Sequence, residues 1–136
     1  MQKIISYPLS VIALLLFLLA LVVFHVIQWI CYNLFGYEAH KKSVDYLNFV
    51  LLKIGLILGT TFEIKNRDLI PHNVPIIFVA NHQGLYDIVA IQWFLRKFHP
   101  KFVSKKELGK GIPSVSYNLN HGGSVLIDRK DPKQAI

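Results

Sequence analysis

From Ile4 to Tyr37 the chain carries no Asp, Glu, Lys or Arg, and Leu9 to Phe24 is almost wholly aliphatic. A bilayer core is crossed by a helix of about 20 apolar residues. The stretch is therefore long enough to span a membrane or to turn back on itself. Lys3 and the Leu-rich run also resemble the first two regions of a cleaved signal peptide. Yet Val26, Ile27, Trp29 and Ile30 follow Phe24, with no small-x-small cleavage pattern. Trp29, Tyr32 and Tyr37 read as an interfacial aromatic belt. The expectation is a retained membrane anchor over residues 1–37, either one span or a re-entrant helix pair.

A chain of 136 residues holds one domain at most. The net charge of +7 lies almost entirely beyond the anchor, and Arg96 to Lys110 holds six bases against one acid, Glu107. Such a patch suits a membrane surface or a phosphate-bearing substrate, although any single lysine is equally well explained as part of a solvated face. A chain with a long anchor and no nucleic-acid motif is a poor nucleic-acid binder. Cys31 is the sole cysteine, which excludes an intrachain disulfide and a Cys-based zinc site. The six histidines are scattered, with no H-x3-H or H-E-x-x-H pair, so no metal is expected.

Residues 44 to 60 form a second apolar segment in which Leu47, Val50, Leu51, Ile54 and Leu58 follow helical spacing. Together with the residues before it, this is an amphipathic or interfacial helix over 38–60. Thr61 to Lys65 alternates like a half-exposed strand, and Arg67 to Asn73 is a polar turn. Ile76 to Ala80 reads as a continuous apolar strand buried on both faces of a sheet. A helix follows over Leu85 to Phe98, a short strand over Lys101 to Ser104, a helix from Pro113 to just before Gly122-Gly123, and a strand over Ser124 to Asp128. Alternating strands and helices predict a layered α/β fold over 61–136.

The chemistry-bearing feature sits where the apolar run ends. Asn81-His82 is followed, five residues after the histidine, by Asp87. Neutral imidazole can take a proton from a hydroxyl near pH 7, and a carboxylate can fix its tautomer. The spacing alone is weak, because His40 and Asp45 share it. Residues five apart on one helix lie about 140° round the axis. His82 must therefore precede the helix that carries Asp87, and Gly84 is expected to permit the bend. The alternative is a capped turn histidine with a structural role.

Asn81-His82-Gln83-Gly84-Leu85-Tyr86-Asp87 resembles the first motif, of H-x4-D form, of the glycerolipid acyltransferases related to 1-acylglycerol-3-phosphate acyltransferase. The resemblance extends through Lys105-Lys106-Glu107-Leu108 and Pro113 to Gly123-Ser124-Val125-Leu126-Ile127-Asp128-Arg129, which is similar to the family's second motif. It implies an O-acyltransferase that moves a fatty acyl group from acyl-CoA or acyl-carrier protein to the free hydroxyl of a lysophospholipid, lysophosphatidate in the first instance, giving phosphatidate. His82 is then the general base and Asp87 its orienter. Arg129 binds the acceptor phosphate, with Gly123 and Lys105 beside it. No cofactor or metal is implied, and the partners are the lipid surface, the acceptor and the acyl donor.

Gly84 stands where the family often has Ser or Asn. The third motif, Glu-Gly-Thr-Arg in form, and a later Pro-containing motif do not occur, and Asp131-Pro132 opens a helix with about one turn to follow. The expectation is an N-terminal portion of an acyltransferase. The expected location is a plasma or inner membrane with the catalytic part on the cytoplasmic side. Lys3 and Lys41-Lys42 flank the apolar stretch on both sides and leave its topology open. The competing reading is a membrane-anchored protein that binds or assembles on anionic lipid without catalysis, with His82 and Asp87 structural.

Overall fold

The structure is a computed structural model that describes residues 2–131 and 133. The aliphatic run forms one helix, α1 (Gln2–Ile30), so residues 1–37 do not contain a re-entrant pair. Residues Tyr7–Phe35 are long and apolar enough to cross a membrane. A π-helical turn, Cys31–Phe35, ends α1, and Gly36 follows at φ +81°, a left-handed conformation that favours glycine. The chain reverses there into α2 (Tyr37–Ile57), which packs back along α1. Val44, Leu47, Leu51 and Ile54, spaced three or four apart, are the buried stripe of α2. Ala13 and Ala20 lie opposite, where small side chains let the two backbones approach.

The hairpin is closed by α3 (Leu85–Phe94), whose Val89 joins the same core and whose Trp93 meets Phe49 at 4.9 Å. Gly55 makes that approach possible. A Cβ there would sit 2.9 Å from the Tyr86 ring. Burying a leucine such as Leu47 or Leu51 in this core contributes roughly 1.5–3 kcal/mol.

Two expected strands differ in the structure. Thr61 to Lys65, where Lys65 and Glu63 pair at 3.3 Å, has no regular secondary structure and joins no ladder among the described residues. Ile76 to Ala80 is likewise unpaired, and it is not buried on both faces. Ile77 is 91% and Val79 93% exposed. Ile76 is half-buried, and Phe78 touches Phe98 at 6.0 Å, so the segment shows the alternation of a chain packed on one side only. Its apolar composition reports the capacity for burial; with no strand beside it among the described residues, that capacity is half used.

The remaining part is a small β-α-β unit. Strand β1 (Val103–Lys105) and strand β2 (Val125–Ile127) pair in parallel, Val103 opposite Val125 and Lys105 opposite Ile127. The crossover contains a 3-10 turn, Lys106–Gly109, and α4 (Val115–His121). Among the described residues the sheet has these two strands, and the chain is mostly helical. Asp131 accepts the N–H of Lys133 at 3.0 Å; Pro132, the other half of the expected helix start, lies outside the described residues.

The seam where α1, α2 and α4 meet is polar. Gln28, His40 and Ser114 are essentially fully buried, and the Gln28 amide, both His40 ring nitrogens and the Ser114 hydroxyl find no hydrogen-bond partner among the described residues. Tyr32 and Tyr117 pack on His40 at 5.6 and 5.7 Å, and His25 accepts the Ser114 N–H at 3.1 Å. Two of the expected belt aromatics therefore have partners within the protein, Tyr32 in this seam and Tyr37, still 38% exposed, in the network described below. Trp29 remains 54% exposed.

Candidate active site

His82 lies in the turn before α3, and Asp87 is the third residue of that helix. This offset overcomes the angular mismatch of a five-residue spacing. His82 Nδ1 comes within 3.4 Å of Asp87 Oδ2. The same oxygen accepts the N–H groups of Gln83 at 2.6 Å and Gly84 at 2.9 Å, which closes the helix N-terminus. Those two N–H groups, and after them the His82 imidazole, hold the Asp87 carboxyl below the usual carboxylate range, against an opposing desolvation. An Nδ1–H directed at the carboxylate leaves Nε2 as the basic nitrogen. The His82 side chain is 58% exposed, so a substrate hydroxyl can reach it.

Gly84 plays a different part from the one expected. Its φ of −164° and ψ of 167° are extended values open to any residue, and a Cβ there would meet nothing within 4 Å. The bend is secured by the Asp87 cap rather than by glycine freedom. A Ser or Asn at this position fits the same backbone.

Lys105 and Arg129 come together at the other end of the β-α-β unit. Lys105 ends β1, while Asp128 and Arg129 follow the end of β2. A cleft of about 400 Å³ is lined there by Lys105, Glu107, Leu108, Asp128, Arg129 and Lys130. Ligands of parallel α/β sheets bind outside the carboxyl ends of the strands, and this cleft has that placement. Lys106 pairs with Asp128 at 3.1 Å, and the Lys130 N–H donates to Asp128 at 2.9 Å. These two partners, the Lys130 N–H first, hold the Asp128 carboxyl below its ordinary range. Neither His82 nor Asp87 lines the cleft. Gly123 does not line it either. Its φ of +83° shapes the turn into β2, and a Cβ would come within 3.3 Å of the Lys101 side chain.

Sequence reasoning missed a polar network that ties the hairpin bend to this turn. The Lys101 ammonium donates to the Gly122 carbonyl and Tyr37 hydroxyl, and sits 2.9 Å from His99 Nε2. Tyr37 also donates to the Gly122 carbonyl at 3.2 Å. Burial, then the charges of Lys101 and Lys41, lowers the His99 pKa to about 4. Four histidines that look scattered along the chain thus gather near one seam: His25, His40, His99 and His121. The legible signal was the three- and four-residue spacing of His25, Gln28 and Tyr32 on an otherwise apolar helix. Among the described residues no group of three or more metal-ligating side chains is placed to hold an ion.

The sequence profile of the family described as Acyltransferase matches residues 61–136, which include the His82–Asp87 turn and the Arg129 cleft. The chain belongs to this acyltransferase family. A 1-acyl-sn-glycerol-3-phosphate acyltransferase of Helicobacter pylori is 40% identical over 63 residues, covering 44% of this chain and 24% of that protein. A protein of the same description from Chlamydomonas reinhardtii is 33% identical over 73 residues, covering 54% of this chain and 21% of that protein. The chain therefore matches about a quarter or less of the length of either relative. No solved structure gives a significant match.

Proposed function

We propose that the protein transfers a fatty acyl group from an acyl thioester, acyl-CoA or acyl-carrier protein, to the free hydroxyl of lysophosphatidate. The product is phosphatidate, a precursor in phospholipid biosynthesis. The observation that carries the reading is the approach of His82 Nδ1 to the Asp87 carboxylate at 3.4 Å. The names of the two relatives supply the acceptor. The site would work in a membrane, with its catalytic residues on the cytoplasmic side, and the β-α-β unit would belong to a layered α/β acyltransferase domain.

In this mechanism Nε2 of His82 takes the hydroxyl proton as the acceptor oxygen attacks the thioester carbonyl. Asp87 steadies the imidazolium that forms. The tetrahedral intermediate collapses, the carbon–sulfur bond breaks, and the departing thiolate receives the proton from Nε2. The imidazole is regenerated, and the products are an ester and a thiol. The Gln83 and Gly84 N–H groups are already committed to Asp87 and do not serve the oxyanion. Arg129, with Lys105, would hold the acceptor phosphate through charge-assisted hydrogen bonds.

The test is phosphatidate formation by purified protein in mixed micelles, with labelled acyl-CoA or acyl-carrier protein as donor. Turnover that falls by about 10²–10⁴ in His82→Ala, the usual range for loss of a general base, supports the reading. Turnover unchanged in that variant rejects it. Absence of product with both donors, while the protein still binds anionic vesicles, favours the non-catalytic lipid-surface reading.

A further inference from the structure

We propose that a second cleft, between the start of α2 and the end of α3, binds the headgroup of an anionic membrane phospholipid that is not a substrate. Lys42, Asp45, Tyr46, Trp93 and Arg96 line a cleft of about 320 Å³. None of them borders the strand-end cleft or belongs to the His82–Asp87 pair. Lys42 and Arg96 come from separate helical segments, and the packing of Phe49 on Trp93 draws those segments together.

The guanidinium of Arg96 is already held in place. It donates to the Trp93 carbonyl at 2.9 Å and stacks over the Trp93 ring at 4.1 Å. A cation fixed in this way loses little freedom when it receives a phosphate, and a planar guanidinium can offer paired donors to it. Lys42 supplies a second charge. Asp45 is the one acid of the cleft. Burial raises its pKa, opposed by Lys41 and Arg96. A carboxylate beside two cations suits a phosphodiester that carries its own hydroxyl donors, as a phosphoglycerol headgroup does.

The surroundings point to a lipid rather than a soluble anion. Lys42, Tyr46, Phe49, Lys53 and Leu56 recur at four- and three-residue intervals along one exposed stripe of α2. The Lys53 ammonium lies over the Phe49 ring, 5.3 Å from its centroid. Lysines flanking aromatics on one face are the composition of a helix at the headgroup boundary. The partner helix α1 exposes Leu15, Leu19, Val22 and Val26, an apolar surface suited to acyl chains.

The experiment uses the protein in a neutral maltoside detergent, with Trp29→Phe so that Trp93 is the sole tryptophan reporter. It is titrated with short-chain phosphatidylglycerol, short-chain phosphatidylcholine and glycerol phosphate. Saturable change in Trp93 emission with phosphatidylglycerol, at least about tenfold tighter than with the other two probes, is expected. Lys42→Gln and Arg96→Gln should each weaken it about tenfold, the equivalent of one charge-assisted contact, whereas Lys53→Gln should change it less than twofold. Arg96→Lys guards against misfolding, since it keeps the charge while losing the stack and should bind with intermediate affinity. Equal affinity for phosphatidylcholine, equal affinity for glycerol phosphate, or unchanged binding in Lys42→Gln would each overturn the proposal. His82→Ala should bind phosphatidylglycerol normally, so failure of this site and failure of the acyltransferase reading are separable.

Discussion

Asp87 meets His82 with the same carboxylate oxygen that closes the N-terminus of α3, so one side chain both builds the turn and orients the imidazole. The consequence is that the two roles cannot be removed together without losing information, but they can be removed in part. Asp87→Asn keeps an amide oxygen for the Gln83 and Gly84 N–H groups and loses the charge facing His82. Its turnover should fall about 10²-fold or more while its melting temperature stays close to that of the parent. Asp87→Ala should lose both turnover and melting temperature. If Asp87→Asn is fully active, orientation by charge is not part of the chemistry.

The Arg129 cleft predicts a different kinetic signature. Arg129 follows the carboxyl end of β2 in a cleft that neither His82 nor Asp87 lines, so it should act on acceptor binding. Arg129→Ala should raise the apparent KM for lysophosphatidate by about 10–100-fold, the worth of a charge-assisted hydrogen bond, with little change in the KM for the acyl donor. Equal effects on both substrates in steady-state assays would remove the acceptor-phosphate assignment.

How far these sites were legible in the sequence depends on how local their causes are. The helices over α2, α3 and α4 and the two short strands follow from apolar spacing and Gly or Pro punctuation, and they form within a few residues of the expected limits. The His82–Asp87 approach was readable because a cap needs only the residues between 83 and 87. Ile76 to Ala80 was misread because composition cannot say whether a neighbouring strand exists. The role given to Gly84 was misread because an extended φ leaves no mark in sequence. The seam of His25, Gln28, His40 and Ser114 was legible only in its α1 half, the helical spacing of His25, Gln28 and Tyr32, because the rest depends on α4 docking against the hairpin, a contact between residues about 90 positions apart.

That seam sets a pH dependence of stability. Burial, then the charge of His121 and of Lys101, lowers the His40 pKa from 6.5 to about 4. The folded state therefore holds His40 neutral where the unfolded chain would protonate it. A depressed folded pKa means the unfolded state binds more protons between pH 6.5 and about 4, so stability is full above that window and declines through it. The shift corresponds to an effect on the order of 3 kcal/mol from His40, and His99 acts in the same direction. Thermal unfolding in detergent should show a lower melting temperature at pH 5 than at pH 7.5. His40→Phe, which keeps the ring between Tyr32 and Tyr117 without unpartnered nitrogens, should flatten part of that slope, leaving the share of His99, and be at least as stable at neutral pH. An equal slope in His40→Phe would place the acid sensitivity elsewhere.

The last prediction concerns the contact that sets α3, and with it the His82 turn, against the hairpin. At Gly55 a Cβ would lie 2.9 Å from Tyr86 Cε1, closer than side-chain carbons approach, and Phe62 closes the other side at 3.6 Å. Tyr86 directly precedes Asp87, so a displaced ring pulls on the residue that caps the helix. Gly55→Val should lower the melting temperature by several degrees, since overpacking typically costs about 1–3 kcal/mol. It should also lower turnover without a selective change in either KM. Replacing the ring removes the obstacle. Tyr86→Leu should therefore restore part of both losses in the double variant, and the two substitutions should be non-additive by more than about 0.5 kcal/mol in a double-mutant cycle. Additive losses would show that Gly55 matters for helix α2 alone, and that the α2–α3 contact does not position the candidate base.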